Sequence, residues 1–545
     1  MEGNGFRSPR LDGGLQLTSI FINTIPTSGQ LALFAKKDSP AATSGDAFGI
    51  GPLADSSSEE ALSVLRGWLE ECATNHKCGA ANGLSGEDDT AEPELPTRIL
   101  EISAEAESSS MRLVETGGKR GRYAALSHCW GPPDKQPLRT TKATLQQHLA
   151  GIPVPGLPKT FRDAVTITRA VGLRYIWIDS LCIVQDDRDD WSSEAPRMAQ
   201  VYGTAYLVIA ASGARNSTEG CFIPRIPPGS SFAIPYPAGD GEQSGQVLLS
   251  KPKDITLTDP VFQPLGRRAW GLQEWLLARR IVHYTAGGML WSCKQLENST
   301  MCEEGIQSDV GQGSLSDWDK IIGLYTIRSL THLPDKLIAV QSLAEEMQKS
   351  RTDRYCNGLW TSDLPQQLFW IGPDITRPKE LEGFPSWSWA STDGRCVPWS
   401  TINQIVPWES IHRALTIEED NRLVVSCNAR RCIAKKWKPL VHDTVRQPPF
   451  SKPFAPVSVM DSLPVHFYMR MVHSILDEST GEVVGLAMLD EADGPDHSDL
   501  HERVSYKRCP TGRPSSQPHL LFPSLTRKCP VSGAIQTLGC WVRGG

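Results

Sequence analysis

YAALSHCWG (123–131), LPKTFRDAV (157–165), RYIWIDSLCIVQDDRDDW (174–191) and AYLVIAAS (205–212) decide the fold. The first is a short apolar run that stops hard at Gly131-Pro132-Pro133, as a strand does before a turn. The second opens a helix. Thr160-Phe161-Arg162-Asp163 matches a capping box with Asp in place of Glu, and Phe161, Ala164, Val165, Thr168 and Val171 share one face before Gly172 ends it. RYIWID (174–179) is apolar until Asp179 and reads as a buried strand. Beyond the acidic loop of Asp186, Asp187, Asp189 and Asp190, a helix carries Trp191, Ala195, Met198 and Tyr202 at helical spacing. Pro196 fits that helix only near its start. AYLVIAAS is the next strand. Strand, helix, strand, helix, strand predicts an α/β domain with a mainly parallel sheet flanked by helices. Such sheets bind ligands beyond the carboxyl ends of their strands, and those ends carry Ser127-His128-Cys129 and Asp179-Ser180.

Outward from this centre, Leu62, Leu65, Trp68 and Leu69 place a helix over 59–70, and RILEI (98–102) and RLVE (112–115) read as strands. Downstream, 269–278 reads as a helix, Arg280–Tyr284 and Met289–Cys293 as strands, and 316–330 and 335–349 as helices. PSWSWAS (385–391) and RLVVSC (422–427) suggest further β structure. The expected organisation is a loosely ordered segment (1–58), a helical lead-in and linker (59–94) and the α/β domain (95–300). A helical and β-rich extension (301–500) and a disordered or atypical Pro-punctuated tail (501–545) complete it.

The 545 residues allow two to four domains, and 39% hydrophobic with 21% charged residues argues against wholesale disorder. A net charge of −7 excludes a generally basic nucleic-acid coat, so no nucleic-acid partner is expected. The apolar stretch Ile20–Leu33 is interrupted by Asn23, Pro26, Ser28 and Gln30, and no uninterrupted apolar run follows MEGNGFRSPRLDGG. The reading is a chain with no secretory leader and no membrane partner. The 14 Cys are spread singly, which suits reduced thiols and a cytoplasmic location.

Cys72, His76 and Cys78 have the right chemistry for zinc but offer only three ligands. They read as a helix-end packing motif, and no metal is expected. The chain contains no GxxxxGKS phosphate loop, no GxGxxG after a strand and no GxSxG elbow.

Five blocks in this order resemble the fungal heterokaryon-incompatibility domain: 123–131, 157–165, 174–191, EAPRMAQVYGTAYLVIAAS (194–212) and RRAWGLQEWLLARRIVHY (267–284). The upstream W–L–x₂–C–x₃–H–x–C element (68–78) and PSWSWAS are similar to flanks common in that family, so the resemblance covers roughly 60–400. It implies an effector of non-self recognition leading to programmed cell death. It also implies likeness to the Toll/interleukin receptor (TIR) fold, a flavodoxin-like α/β domain some of whose members cleave NAD.

By that resemblance Glu274 is the catalytic candidate, with Glu194 as the alternative. Trp270, four residues earlier on one helix face, would stack on nicotinamide. Asp179, an ionisable group ending a buried strand, either contacts a ribose hydroxyl, orients a neighbouring loop or caps a turn through Ser180. NAD enters as substrate, with no cofactor required, and activation is expected through a protein partner or self-association. The structural alternatives are a surface Glu274 paired with Arg267, Arg268 or Arg279, and a first-turn Glu194 complementing its helix dipole. A non-catalytic interaction module and a secondary-pathway enzyme reusing the fold are the competing functions.

Overall fold

The computed structural model describes residues 55–76, 78, 92–103, 110–225, 255–296, 317–368 and 375–398. Shorter pieces are described between 19 and 53, at 232–236, 245–250, 300–302, 307–308 and 370–371, and between 415 and 540. The chain divides into two units, 1–315 and 316–545.

The first unit is organised around a ten-stranded sheet. In chain order its strands are β1 (Arg98–Ile102), β2 (Ser110–Glu115), β3 (Tyr123–Ser127), β4 (Ile152–Pro153) and β5 (Tyr175–Ile178). They continue as β6 (Leu207–Ala210), β7 (Arg280–Thr285), β8 (Gly288–Cys293), β9 (Thr300–Cys302) and β10 (Gln307–Ser308). Across the sheet the order is β10-β9-β8-β7-β6-β3-β5-β1-β2-β4. The central strands β5, β3, β6 and β7 run parallel, and both flanks are antiparallel. The fold is therefore α/β, as the sequence predicts. Its parallel strands lie in the order second, first, third, fourth, as in flavodoxin-type sheets, and the switch point falls between β3 and β6.

The parallel strands are short apolar runs because both faces are covered: every residue of β3 and β6 is buried. On α2 (Lys159–Ala170), Phe161, Ala164, Val165, Ile167 and Thr168 are fully buried. The expected capping box does not form. Pro158 occupies the cap position without a side-chain bond, and Thr160 and Asp163 instead serve the 216–222 loop. Gly220 N–H donates to Thr160 Oγ1 (3.1 Å), and Phe222 N–H and Lys159 Nζ donate to Asp163 Oδ2 (3.0 and 2.8 Å).

The helix expected across 191–202 is divided. α4 (Arg188–Glu194) and α5 (Met198–Thr204) are separated by a 3₁₀ turn at Ala195–Arg197, because Pro196 has no N–H for an α-helical bond. Residues 1–58, expected to be loose, supply strands Ser19–Thr24 and Thr27–Ala35. These join Gly245–Ser250 and Phe232–Tyr236 in a four-stranded antiparallel sheet. The remaining helices that matter are α1 (Glu59–Asn75), α3 (Asp179–Cys182) and α6 (Trp270–Leu276).

In the second unit, α7 (Trp318–Thr326) and α8 (Ile338–Gln348) fall within the expected helices. PSWSWAS is not β structure: Trp389–Ser391 forms a 3₁₀ turn, capped by Ser388. Trp318 Nε1–H and Trp389 Nε1–H both donate to the Gly358 carbonyl (2.7 and 2.9 Å). A β-carbon on Gly358, at φ +90°, would lie 2.7 Å from the Trp389 indole nitrogen, so the aromatic cluster requires glycine there. The expected tail (501–545) lies outside the described residues apart from Leu538–Cys540, which pairs with the strand Val483–Leu489. Among the described residues no helix is long and apolar enough to cross a membrane.

Candidate functional site

Polar groups converge where the sheet topology directs them, at the carboxyl end of β3. Ser127 closes that strand, and its hydroxyl donates to Glu274 Oε2 on α6. α6 is short and, past Trp270, wholly buried, so it carries Gln273 and Glu274 inward with its leucines; Glu274 is 1% exposed. Of the alternatives in the sequence, the surface carboxylate is therefore the wrong one. A buried carboxylate needs compensation, and Arg268, before the helix, supplies it. Burial disfavours the Arg268 charge, but Glu274, then Cys129 and Asp179, outweigh it and hold the guanidinium above its usual pKa. Arg268 Nη1 also donates to the His128 carbonyl, which ties the 128–131 turn to the segment bearing Glu274.

Asp179 stands just past β5, where α3 begins. Its Oδ1 accepts from Ser180 N–H (2.6 Å) and its Oδ2 from the Trp130 indole N–H (2.8 Å). Burial raises its pKa above the ordinary carboxyl range, while Arg268 and the two hydrogen bonds oppose that shift. His128 points into the same interior, 1% exposed, with Nδ1 3.8 Å from Asp179 Oδ1 and its ring edge-on to Phe161. Neither ring nitrogen has a hydrogen-bond partner, and burial, then Arg268, pushes its pKa down to about 3. Its neighbour Cys129 is raised to about 11 by burial, which makes it a poor nucleophile. The Tyr202 phenol, raised well above its usual range by burial and then by Glu274 and Asp179, donates to the Leu126 carbonyl (3.1 Å).

Gly131 makes this packing possible: at φ +87°, a β-carbon there would stand 2.5 Å from Asn216 Cβ. Trp130 lies half-buried beside Asp179.

Glu274 and Asp179 share the Arg268 environment. Trp270 opens α6 half-buried. Glu194 is buried on α4, and its ion partner is Arg197 at 3.8 Å. Sequence reasoning missed Ser127 as the hydrogen-bond donor to Glu274, and it considered Arg268 only as a surface partner. The arrangement is a desolvated carboxylate, oriented by a hydroxyl and balanced by one guanidinium, and such a group stabilises positive charge developing nearby.

A second polar cluster lies elsewhere in the unit. Cys293, at the end of β8, joins Cys72, His76 and Cys78, with all four ligand atoms within 4.8 Å of one another. The sequence offered three candidates; the fourth comes from a strand far along the chain.

Residues 123–274 match the family profile described as heterokaryon incompatibility protein (HET). The match runs from the first residue of β3 to Glu274 and leaves the thiol cluster outside. Comparison with curated proteins and with solved structures gave no match.

Proposed function

We propose that the chain, whose residues 123–274 match the heterokaryon-incompatibility profile, acts in heterokaryon incompatibility as a cell-death effector that hydrolyses NAD at the Glu274 site. The observation that supports this reading is the buried Glu274 carboxylate, oriented by Ser127 and facing Arg268 at the carboxyl end of the central strands.

In the proposed reaction the ribosyl C1′–N bond breaks and its electron pair passes to the nicotinamide nitrogen, which loses its positive charge. The ribose then develops oxocarbenium character, which Glu274 stabilises as carboxylates do in glycoside cleavage. Water adds to C1′, and its proton leaves to Glu274 and then to solvent. The products are nicotinamide, ADP-ribose and a proton. Trp270 and Trp130 are the aromatic surfaces for a flat ring, and Asp179, already holding Trp130, is the candidate ribose contact.

A non-catalytic interaction module is the second reading. It is favoured by one feature: the Glu274 Oε2 already accepts from Ser127 within the chain, as in a satisfied polar core. Expression of the full chain in cells separates the two. The glycohydrolase predicts NAD depletion and growth arrest, both abolished by Glu274→Gln. Arrest by both proteins with NAD unchanged would favour the module.

A further inference from the structure

Three buried thiols and an imidazole meet where α1 docks on the β7–β8 hairpin. Cys72 lies in the last turn of α1, and His76 follows as its C-cap, its N–H bonded to the Cys72 carbonyl (3.2 Å). Strand pairing sets Cys293 opposite Arg280. One helical turn before Cys72, Trp68 stacks on Trp291 with ring centroids 6.2 Å apart. Residues i and i+4 share a helix face, and residues i and i+2 share a strand face. The contact that docks Trp68 on Trp291 therefore also brings Cys72 to Cys293.

We propose that Cys72, His76, Cys78 and Cys293 bind one zinc ion, which fastens α1 to β8 and closes the chain around the 123–274 domain. Two of the six ligand–ligand separations already approach tetrahedral edges, and all lie within 4.8 Å. Zn–S bonds of about 2.3 Å and a Zn–N bond of about 2.0 Å require tetrahedral edges of roughly 3.8 Å (S···S) and 3.5 Å (S···N). Cys72 Sγ stands 3.6 Å from Cys78 Sγ, and His76 Nδ1 stands 3.3 Å from Cys293 Sγ. A disulfide would need about 2.05 Å between sulfurs, and these cysteines are free.

All three cysteines are 0% exposed, yet apolar packing gives no reason to gather three thiols and a ring nitrogen at one point. The charges also balance. Three thiolates and a dication leave one negative charge, and the buried Arg280 donates its Nε–H to Cys72 Sγ (3.2 Å). Such a partner outside the ligand set orients a metal site and raises its affinity. Four protein ligands leave no open position, so the ion is structural and not catalytic.

The test uses the full chain, purified without a metal-affinity step in zinc-containing buffer and then dialysed against zinc-free buffer. Elemental analysis is expected to find one zinc per chain. Cobalt added to the stripped protein is expected to give the absorption of a tetrahedral thiolate complex. His76→Ala, a half-buried position, should lower zinc affinity about tenfold or more, and Cys302→Ser, outside the cluster, should leave it unchanged. His76→Cys should restore binding, which separates loss of a ligand from loss of fold. Folded wild-type protein that retains less than a tenth of an equivalent of zinc and gives no tetrahedral cobalt spectrum would overturn the proposal.

Discussion

The two buried polar clusters of the first unit differ in chemistry and in origin. One is built of oxygens and lies within the 123–274 match: Ser127, Asp179 and Glu274 around Arg268. The other is built of sulfur and imidazole from residues outside that match, beside Arg280. Each includes one arginine, half-buried Arg268 in the first and fully buried Arg280 in the second, but only the first offers carboxylates that could answer charge arising on a bound molecule. The second encloses its centre with four ligands. The proposed catalysis and the proposed fastening thus fall on separate sites, and each can be perturbed alone.

The largest effect should come from Arg268→Leu. Removing the guanidinium leaves Glu274 and Asp179 buried without their common counter-charge, a change expected to cost about 3–5 kcal/mol in urea unfolding. A loss below about 1 kcal/mol would mean that Arg268 does not hold the oxygen cluster together.

A pH series sharpens the comparison next. Unfolded His128 takes up a proton near its ordinary value of 6.5, whereas in the folded chain it does so only near 3. Its contribution to stability is therefore intact above pH 6.5 and lost as pH falls toward 3, at about 1.4 kcal/mol per pH unit. Asp179, whose pKa is raised, acts oppositely: lower pH relieves the cost of its buried charge. His128→Gln leaves the Asp179 contribution in place, so the difference between the two proteins isolates the histidine. Stability curves of equal slope between pH 6.5 and 4 would show that His128 is charged inside the fold.

The smallest effect is expected at Trp191. It lies 46% exposed on α4, and Trp191→Ala should change stability by no more than about 0.5 kcal/mol and leave activity intact. A large loss of NAD turnover would return attention to Glu194, three residues on.

These positions also show what was legible in the sequence. The central strands were readable because a strand buried on both faces must be an apolar run, as Tyr123–Ser127 and Leu207–Ala210 are. Asp179 stood out as the charged end of such a run. Local polar patterns misled more often. Thr160 and Asp163 looked like a capping box but bond a loop about 60 residues away, a partner that spacing within a helix cannot reveal. PSWSWAS alternates like a strand, but Ser388 and the Trp389 indole N–H serve a turn around Gly358. Cys293 was unreadable as a ligand because its place depends on the β7–β8 register and on the Trp68–Trp291 stack, both set by tertiary pairing.

Nicotinamide release from NAD by the purified full chain, concentrated to favour association and run beside Glu274→Gln, tests the central claim most directly. Release by the wild type is expected, with a rate at least about 100-fold lower in the variant and the two unfolding at the same midpoint. Equal rates, or no release from folded, self-associated wild-type protein, would contradict it and leave Glu274 as a structural member of a buried polar core.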